Sequence, residues 1–205
     1  MKGFIGVYNA PYLVTMLGLF SAVSCCFLSF GGQKELAVIA FIFAGLFDLF
    51  DGVVARLKER NEKEAAFGLY IDSVVDAISF GLTPVTLLMA WGLKSVMDLI
   101  LFCIYCLCAT TRLAYFNVLQ QSQKTSPSHY RGLPVTYSAL IIPLVLTVGL
   151  FFRGSSFTWP LRITVVLLSF FFVYDVPVKK PKGVFYIIFP LLGLVLVTIW
   201  LLHAE

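Results

Sequence analysis

Charge is scarce in this chain. Asp, Glu, Lys and Arg make up 13 % of its 205 residues, against about 25 % in soluble domains, which excludes a water-covered globule. Histidine is scarcer still, at two. His129 falls in a polar loop near Arg131, where a solvated side chain is favoured over a substrate contact, and His203 at the carboxyl end is incidental. The five cysteines lack histidine companions. Cys103, Cys106 and Cys108 have CxxC-like spacing but lie inside an apolar run, where cysteine behaves as a small hydrophobe; Cys25 and Cys26 are similarly placed. A thiolate metal site or redox pair is therefore not expected. No internal repeat, low-complexity tract or Pro- or Ser-rich linker interrupts the chain, so one membrane domain spanning 1–205 is expected. No cleavable signal peptide is evident, because the first apolar run lacks a small-residue cleavage site.

Apolar residues are abundant instead. They make up 60 % of the chain, and the mean hydropathy is +0.92. Seven runs are long enough to be read as spans: 11–31, 36–56, 67–92, 96–119, 133–152, 157–174 and 184–203. Pro160 and Arg162 cut into the start of the sixth. The fold class that follows is an all-α integral membrane protein, a bundle of about six to eight transmembrane helices with a polar site facing the cytoplasm. The opening MKGFIGVYNAPYLVT could begin with a short interfacial helix broken at Pro11.

Orientation comes from the cations. With the amino terminus inside, eleven of the fifteen lysines and arginines fall on internal segments, which satisfies the positive-inside rule. This asymmetry accounts for the net charge of +4 without nucleic-acid binding. The loop-like stretches Arg56–Ala66, Gln120–Pro134 and Asp175–Gly183 all fall on the expected cytoplasmic side, and a prokaryotic cytoplasmic membrane is the expected location.

Against that apolar background, four of six aspartates lie between residues 48 and 76. A carboxylate at membrane depth is costly and marks a functional site by default. Asp48 and Asp51 are spaced i, i+3, and Asp72 and Asp76 i, i+4, so each pair occupies one face of its own helix. Two antiparallel helices joined by Leu57–Ala66 would bring all four together near one membrane face. Four such charges repel unless cations neutralise them, and hard divalent ions such as Mg²⁺ or Mn²⁺ prefer carboxylate oxygens.

The motif carrying these residues is D-x2-D-G-x2-A-R followed by G-x3-D-x3-D: Asp48, Asp51, Gly52, Ala55, Arg56, Gly68, Asp72 and Asp76. It resembles the signature of the CDP-alcohol phosphatidyltransferase family. The eleven residues between Arg56 and Gly68 are more than that family usually has, and the surplus falls in the hydrophilic loop. The resemblance implies two metal ions, Mg²⁺ or Mn²⁺, bound by Asp48, Asp51, Asp72 and Asp76, with Asp76 also the catalytic base. It further implies a nucleotide site built from Asp51, Gly52, Ala55, Arg56, Gly68 and Pro84, and a homodimer. Arg56 offers a forked donor suited to phosphate, or it snorkels to the interface.

Three further segments resemble the phosphatidylserine synthase branch of the family: S-F-G-L-T-P (Ser79–Pro84), T-R-L-A-Y-F-N (Thr111–Asn117) and R-G-L-P-V (Arg131–Val135). They imply CDP-diacylglycerol, a membrane lipid, and L-serine as substrates. Serine carries a carboxylate that needs a cation, so Arg112 and Arg131 are candidates for binding the acceptor or the lipid phosphate; either could instead anchor a helix end. Two alternatives stay open. One is the same chemistry with inositol phosphate, glycerol phosphate or choline. The other is a cation-binding transporter, disfavoured because the charges sit near one face and no broken helices repeat across two halves.

Overall fold

The structure is a computed structural model describing residues 5–56, 61–122, 129–150, 157–179 and 183–204. Its helices follow the apolar runs. They are α1 (Ala10–Phe30), α2 (Lys34–Arg56), α3 (Glu62–Asp76), α4 (Thr83–Ala90), α5 (Val96–Ser122), α6 (Ser138–Gly149), α7 (Thr158–Val173) and α8 (Phe185–Ala204). A π-helical segment, Ala77–Leu82, joins α3 to α4, so 62–90 forms one long span. A 3₁₀ turn, Val135–Tyr137, leads into α6. Among the described residues, five helical stretches are long and apolar enough to cross a membrane, while 135–149 and α7 are shorter apolar helices. This is an integral membrane protein of all-helical design. The loop-like stretches Arg56–Ala66, Gln120–Pro134 and Asp175–Gly183 were expected at one end; residues 57–60, 123–128 and 180–182 of them lie outside the described residues.

Two local expectations are corrected. Pro11 does not break an interfacial helix; residues 5–9 are not helical. Asn9 caps α1 by accepting from the Tyr12 N–H at 3.0 Å, and Pro11 sits in the first turn, where a missing N–H leaves no bond unmade. Secondly, the loops around 130 and 178 contain a small antiparallel pair, β1 (His129–Arg131) with β2 (Pro177–Lys179). Three-residue strands in polar loops carry too few positions for an alternating pattern to show.

Helix packing relies on small residues. Lipid is as apolar as leucine, so close backbone approach rather than water exclusion drives association. The buried face of α1 is Pro11, Thr15, Gly18, Ser21, Ala22, Cys25 and Ser29, and α1 runs along α2 for most of its length. A Cβ placed on Gly18 would lie 3.4 Å from Phe47 Cβ, and one on Gly45 only 2.6 Å from the Ala139 Cβ of α6. Most large hydrophobics on α5, α7 and α8 that do not meet another helix are exposed, as lipid-facing residues must be.

The sixth span survives its interruptions for a structural reason. Pro160 lies in the first turn of α7. Arg162 does not point into lipid but donates to Asp98 of α5, Nε to Oδ1 at 2.7 Å and Nη2 to Oδ2 at 3.1 Å. The Asp98 carboxylate, 1 % exposed, also accepts from the Ser95 N–H and hydroxyl. This forked pair ties α5 to α7 at the end of the bundle opposite the four clustered aspartates.

Candidate active site

Helix α2 carries Asp48 and Asp51 and α3 carries Asp72 and Asp76, as the spacing requires. The structure brings carboxylate oxygens of Asp48, Asp72 and Asp76 within 4.8 Å of one another. Asp51 borders the same cluster, facing Asp48 and Asp72, but one of its oxygens is directed elsewhere. Its Oδ2 accepts from the Thr15 hydroxyl of α1 at 2.8 Å. Asp51 and Asp76 are each 8 % exposed. Three hard oxygen donors at this separation, with a fourth at their edge, fit a divalent cation. Among the described residues, no nitrogen or sulfur ligand enters the cluster.

Asp48 sits at the centre. Asp76, Thr136 of the 3₁₀ turn and the Arg112 guanidinium of α5 all lie near enough to act on its carboxylate. Thr136 gave no signal in the sequence reading. It lies near the start of the fifth apolar run, 133–152, directly after R-G-L-P-V, and only the packing of that run on α2 shows that it belongs to the site.

The two candidate arginines separate clearly. Arg112 is 7 % exposed, beside Asp48, with its guanidinium 5.1 Å from the Phe116 ring centroid. Arg131 is on β1, exposed, and paired with Asp175 at 3.2 Å. Gly52 lines an open cleft of about 190 Å³ between α2, α6 and α8, together with Asp48, Thr136, Tyr137, Tyr186 and Phe189. Ala55 and Gly68 are half-buried on α2 and α3, each one helical turn from a cluster aspartate. Arg56 ends α2, and its side chain lies outside the described residues. Pro84 is buried in the first turn of α4, two helical turns beyond Asp76. His129 starts β1.

A bundle of apolar helices that gathers carboxylates from two neighbouring helices fits a membrane-embedded site for a divalent cation. The CDP-alcohol phosphatidyltransferase family model matches residues 8–203, and the chain belongs to that family. Among its curated relatives is the CDP-diacylglycerol–serine O-phosphatidyltransferase of Saccharomyces cerevisiae, 35 % identical over 166 residues that cover 74 % of this chain and 59 % of the relative. The archaetidylserine synthase of Methanothermobacter thermautotrophicus is 31 % identical, covering 78 % of this chain and 66 % of that one. The CDP-diacylglycerol–serine O-phosphatidyltransferase of Methanocaldococcus jannaschii is 30 % identical, covering 86 % and 77 % respectively. The chain thus spans about three fifths to three quarters of the length of these relatives.

Proposed function

We propose that this chain makes phosphatidylserine and CMP from CDP-diacylglycerol and L-serine, using two divalent ions, Mg²⁺ or Mn²⁺, on the cytoplasmic side of a prokaryotic membrane. The observation that carries this reading is the convergence of Asp48, Asp72 and Asp76, bordered by Asp51, with Arg112 beside them. The names of the three relatives, two of them serine transferases acting on CDP-diacylglycerol, support the choice of substrates.

Bound there, divalent cations would neutralise the pyrophosphate oxygens and favour in-line displacement. The chain's own groups do the rest. Asp48, Asp51 and Asp72 act chiefly as ligands. Asp76, ligand and base together, accepts the serine hydroxyl proton as the serine oxygen bonds to the lipid phosphorus and the bond to CMP breaks. Arg112, buried and next to Asp48, receives the serine carboxylate. Arg56 binds nucleotide phosphate. Gly52 and Gly68 leave room for the nucleotide to approach the backbone, alongside Ala55. Pro84 contributes through the backbone of the span that bears Asp76. A homodimer is part of the same reading.

The test is CMP release from CDP-diacylglycerol by purified protein, with serine, inositol phosphate, glycerol phosphate, choline and ethanolamine offered in turn. Release should depend on serine and on Mg²⁺ or Mn²⁺. Release with another alcohol alone would overturn the acceptor, and undiminished release in excess chelator would overturn the metal chemistry.

A further inference from the structure

Hydroxyls in apolar helices commonly satisfy themselves by donating to the carbonyl one turn back. This bundle does so repeatedly: Thr110 to Cys106 O, Thr147 to Pro143 O, Thr164 to Pro160 O, Ser169 to Val165 O and Thr198 to Leu194 O, at 2.7–2.9 Å. Thr15 has that option as well, with Pro11 O at 3.1 Å. It lies closer, however, to Asp51 Oδ2, at 2.8 Å. A hydroxyl has one proton, and a carboxylate is the stronger acceptor, so the proton belongs to Asp51.

The surroundings hold that bond in place. The first turn of α1 is fixed by the Asn9 cap and by Tyr12, which packs against Phe67 of α3 with ring centroids 6.2 Å apart. One turn beyond Thr15, Gly18 lets α1 close to van der Waals distance of α2 at Phe47. Thr15 itself is 6 % exposed. Helix α1 is thus a third wall of the site, touching α3 at Phe67 and α2 at Asp51, although it contributes no carboxylate.

We infer that Thr15 is a positioning residue for the cation site: its hydroxyl fixes the Asp51 side chain so that the remaining lone pairs face the Asp48–Asp72–Asp76 cluster. A carboxylate offers about four acceptor positions. Thr15 uses one on Oδ2, the Gly52 N–H takes another, and the remainder are left for a metal. Without the hydroxyl, Asp51 regains its rotamer freedom, and the cluster loses a preoriented oxygen. Removing an outer partner of a ligand usually weakens metal binding by about 10- to 100-fold. This inference rests on the metal reading above, but not on serine as acceptor.

The experiment is an EPR titration of the purified full chain with Mn²⁺ alone, without lipid, nucleotide or acceptor. Thr15→Val keeps the β-branch and removes the hydroxyl. It should weaken Mn²⁺ binding by about 10- to 100-fold, while Thr15→Ser returns it to within about threefold of wild type. Thr110→Val, which removes an exposed back-bonded hydroxyl, should change nothing. In an Asp51→Asn background, Thr15→Val should add no further loss. Thr15→Ala carries the same expectation should Thr15→Val fail to assemble. The inference is overturned if folded Thr15→Val binds Mn²⁺ within about twofold of wild type, if Thr15→Ser is as weak as Thr15→Val, or if the wild type binds no Mn²⁺. Failure with serine in the acceptor panel would remove the substrate assignment and leave the Thr15 result standing.

Discussion

Gly45 is one turn before Asp48 on α2, and its partner Ala139 is one turn after Thr136 on the α6 side. A Cβ on Gly45 would lie 2.6 Å from the Ala139 Cβ, whereas carbon atoms pack best at about 3.5–4.0 Å. Gly45→Ala must therefore push α2 and α6 apart by about 1 Å, at the point where Thr136 meets Asp48. Overpacking of this kind costs about 1–3 kcal/mol. Replacing glycine inside a helix returns about 0.5–1 kcal/mol. At mid-range values the net loss is about 1.3 kcal/mol, which at roughly 2–4 °C per kcal/mol for a chain of this size lowers the melting temperature by about 3–5 °C. Gel filtration of heated, detergent-solubilised protein measures it. Activity should fall as well, because the separation draws Thr136 away from Asp48. Adding Ala139→Gly should restore both. If Gly45→Ala melts like the wild type, or the double variant is no better than the single, the close α2–α6 contact is not what seats Thr136.

Two further substitutions separate roles at the site. Asp76→Asn should abolish transfer to serine while binding of a CDP-lipid analogue stays within about threefold, because three other carboxylates remain as ligands; a parallel collapse of binding, measured by titration, would make Asp76 chiefly a ligand. Arg112→Gln should raise the serine KM by roughly ten- to a hundredfold, the value of one charge-assisted hydrogen bond, and leave the KM for CDP-diacylglycerol much less affected. Arg131→Gln, which removes only an exposed pair with Asp175, should shift neither by more than about twofold.

The parts of this protein legible in its sequence are those set by local periodicity. Span positions follow from apolar run length, and the face shared by Asp48 and Asp51, or by Asp72 and Asp76, follows from 3.6 residues per turn. What was not legible depends on residues far apart in the chain. Thr15 lies 36 residues from Asp51, and its sequence context matches that of hydroxyls that merely back-bond. Arg112 and Arg131 looked equivalent because burial, which distinguishes them, is a property of the packed bundle. Asp98 and Arg162 are 64 residues apart, so Arg162 read only as an interruption of the sixth apolar run.

The S-F-G-L-T-P segment shows the difference most sharply, because its residues were noticed for one reason and matter structurally for another. Proline at 84 has no N–H to offer Phe80 O, the carbonyl four residues back. In hydrocarbon that carbonyl must find another donor, and the Tyr105 hydroxyl of α5 supplies it at 2.7 Å. Next to it the Cys106 thiol approaches Gly81 O at 3.3 Å, and Thr83 satisfies Ile78 O at 3.0 Å. The backbone here widens into the π-helical segment immediately after Asp76, a distortion often found beside functional sites. Tyr105 and Arg112 are seven residues apart, two turns on one face of α5. Docking Tyr105 on the widened segment therefore directs Arg112 toward Asp48. Further along α5, Asn117 accepts from Ser73 of α3 at 2.9 Å and fixes the same seam at its other end. Segments that seemed separate in the sequence, Ser79–Pro84 and Thr111–Asn117, thus act on one element: they fit α5 to the aspartate helices and bring a buried cation to the cluster. An exchange of acceptor within this fold would accordingly need changes along that seam as well as in the residues that touch the acceptor.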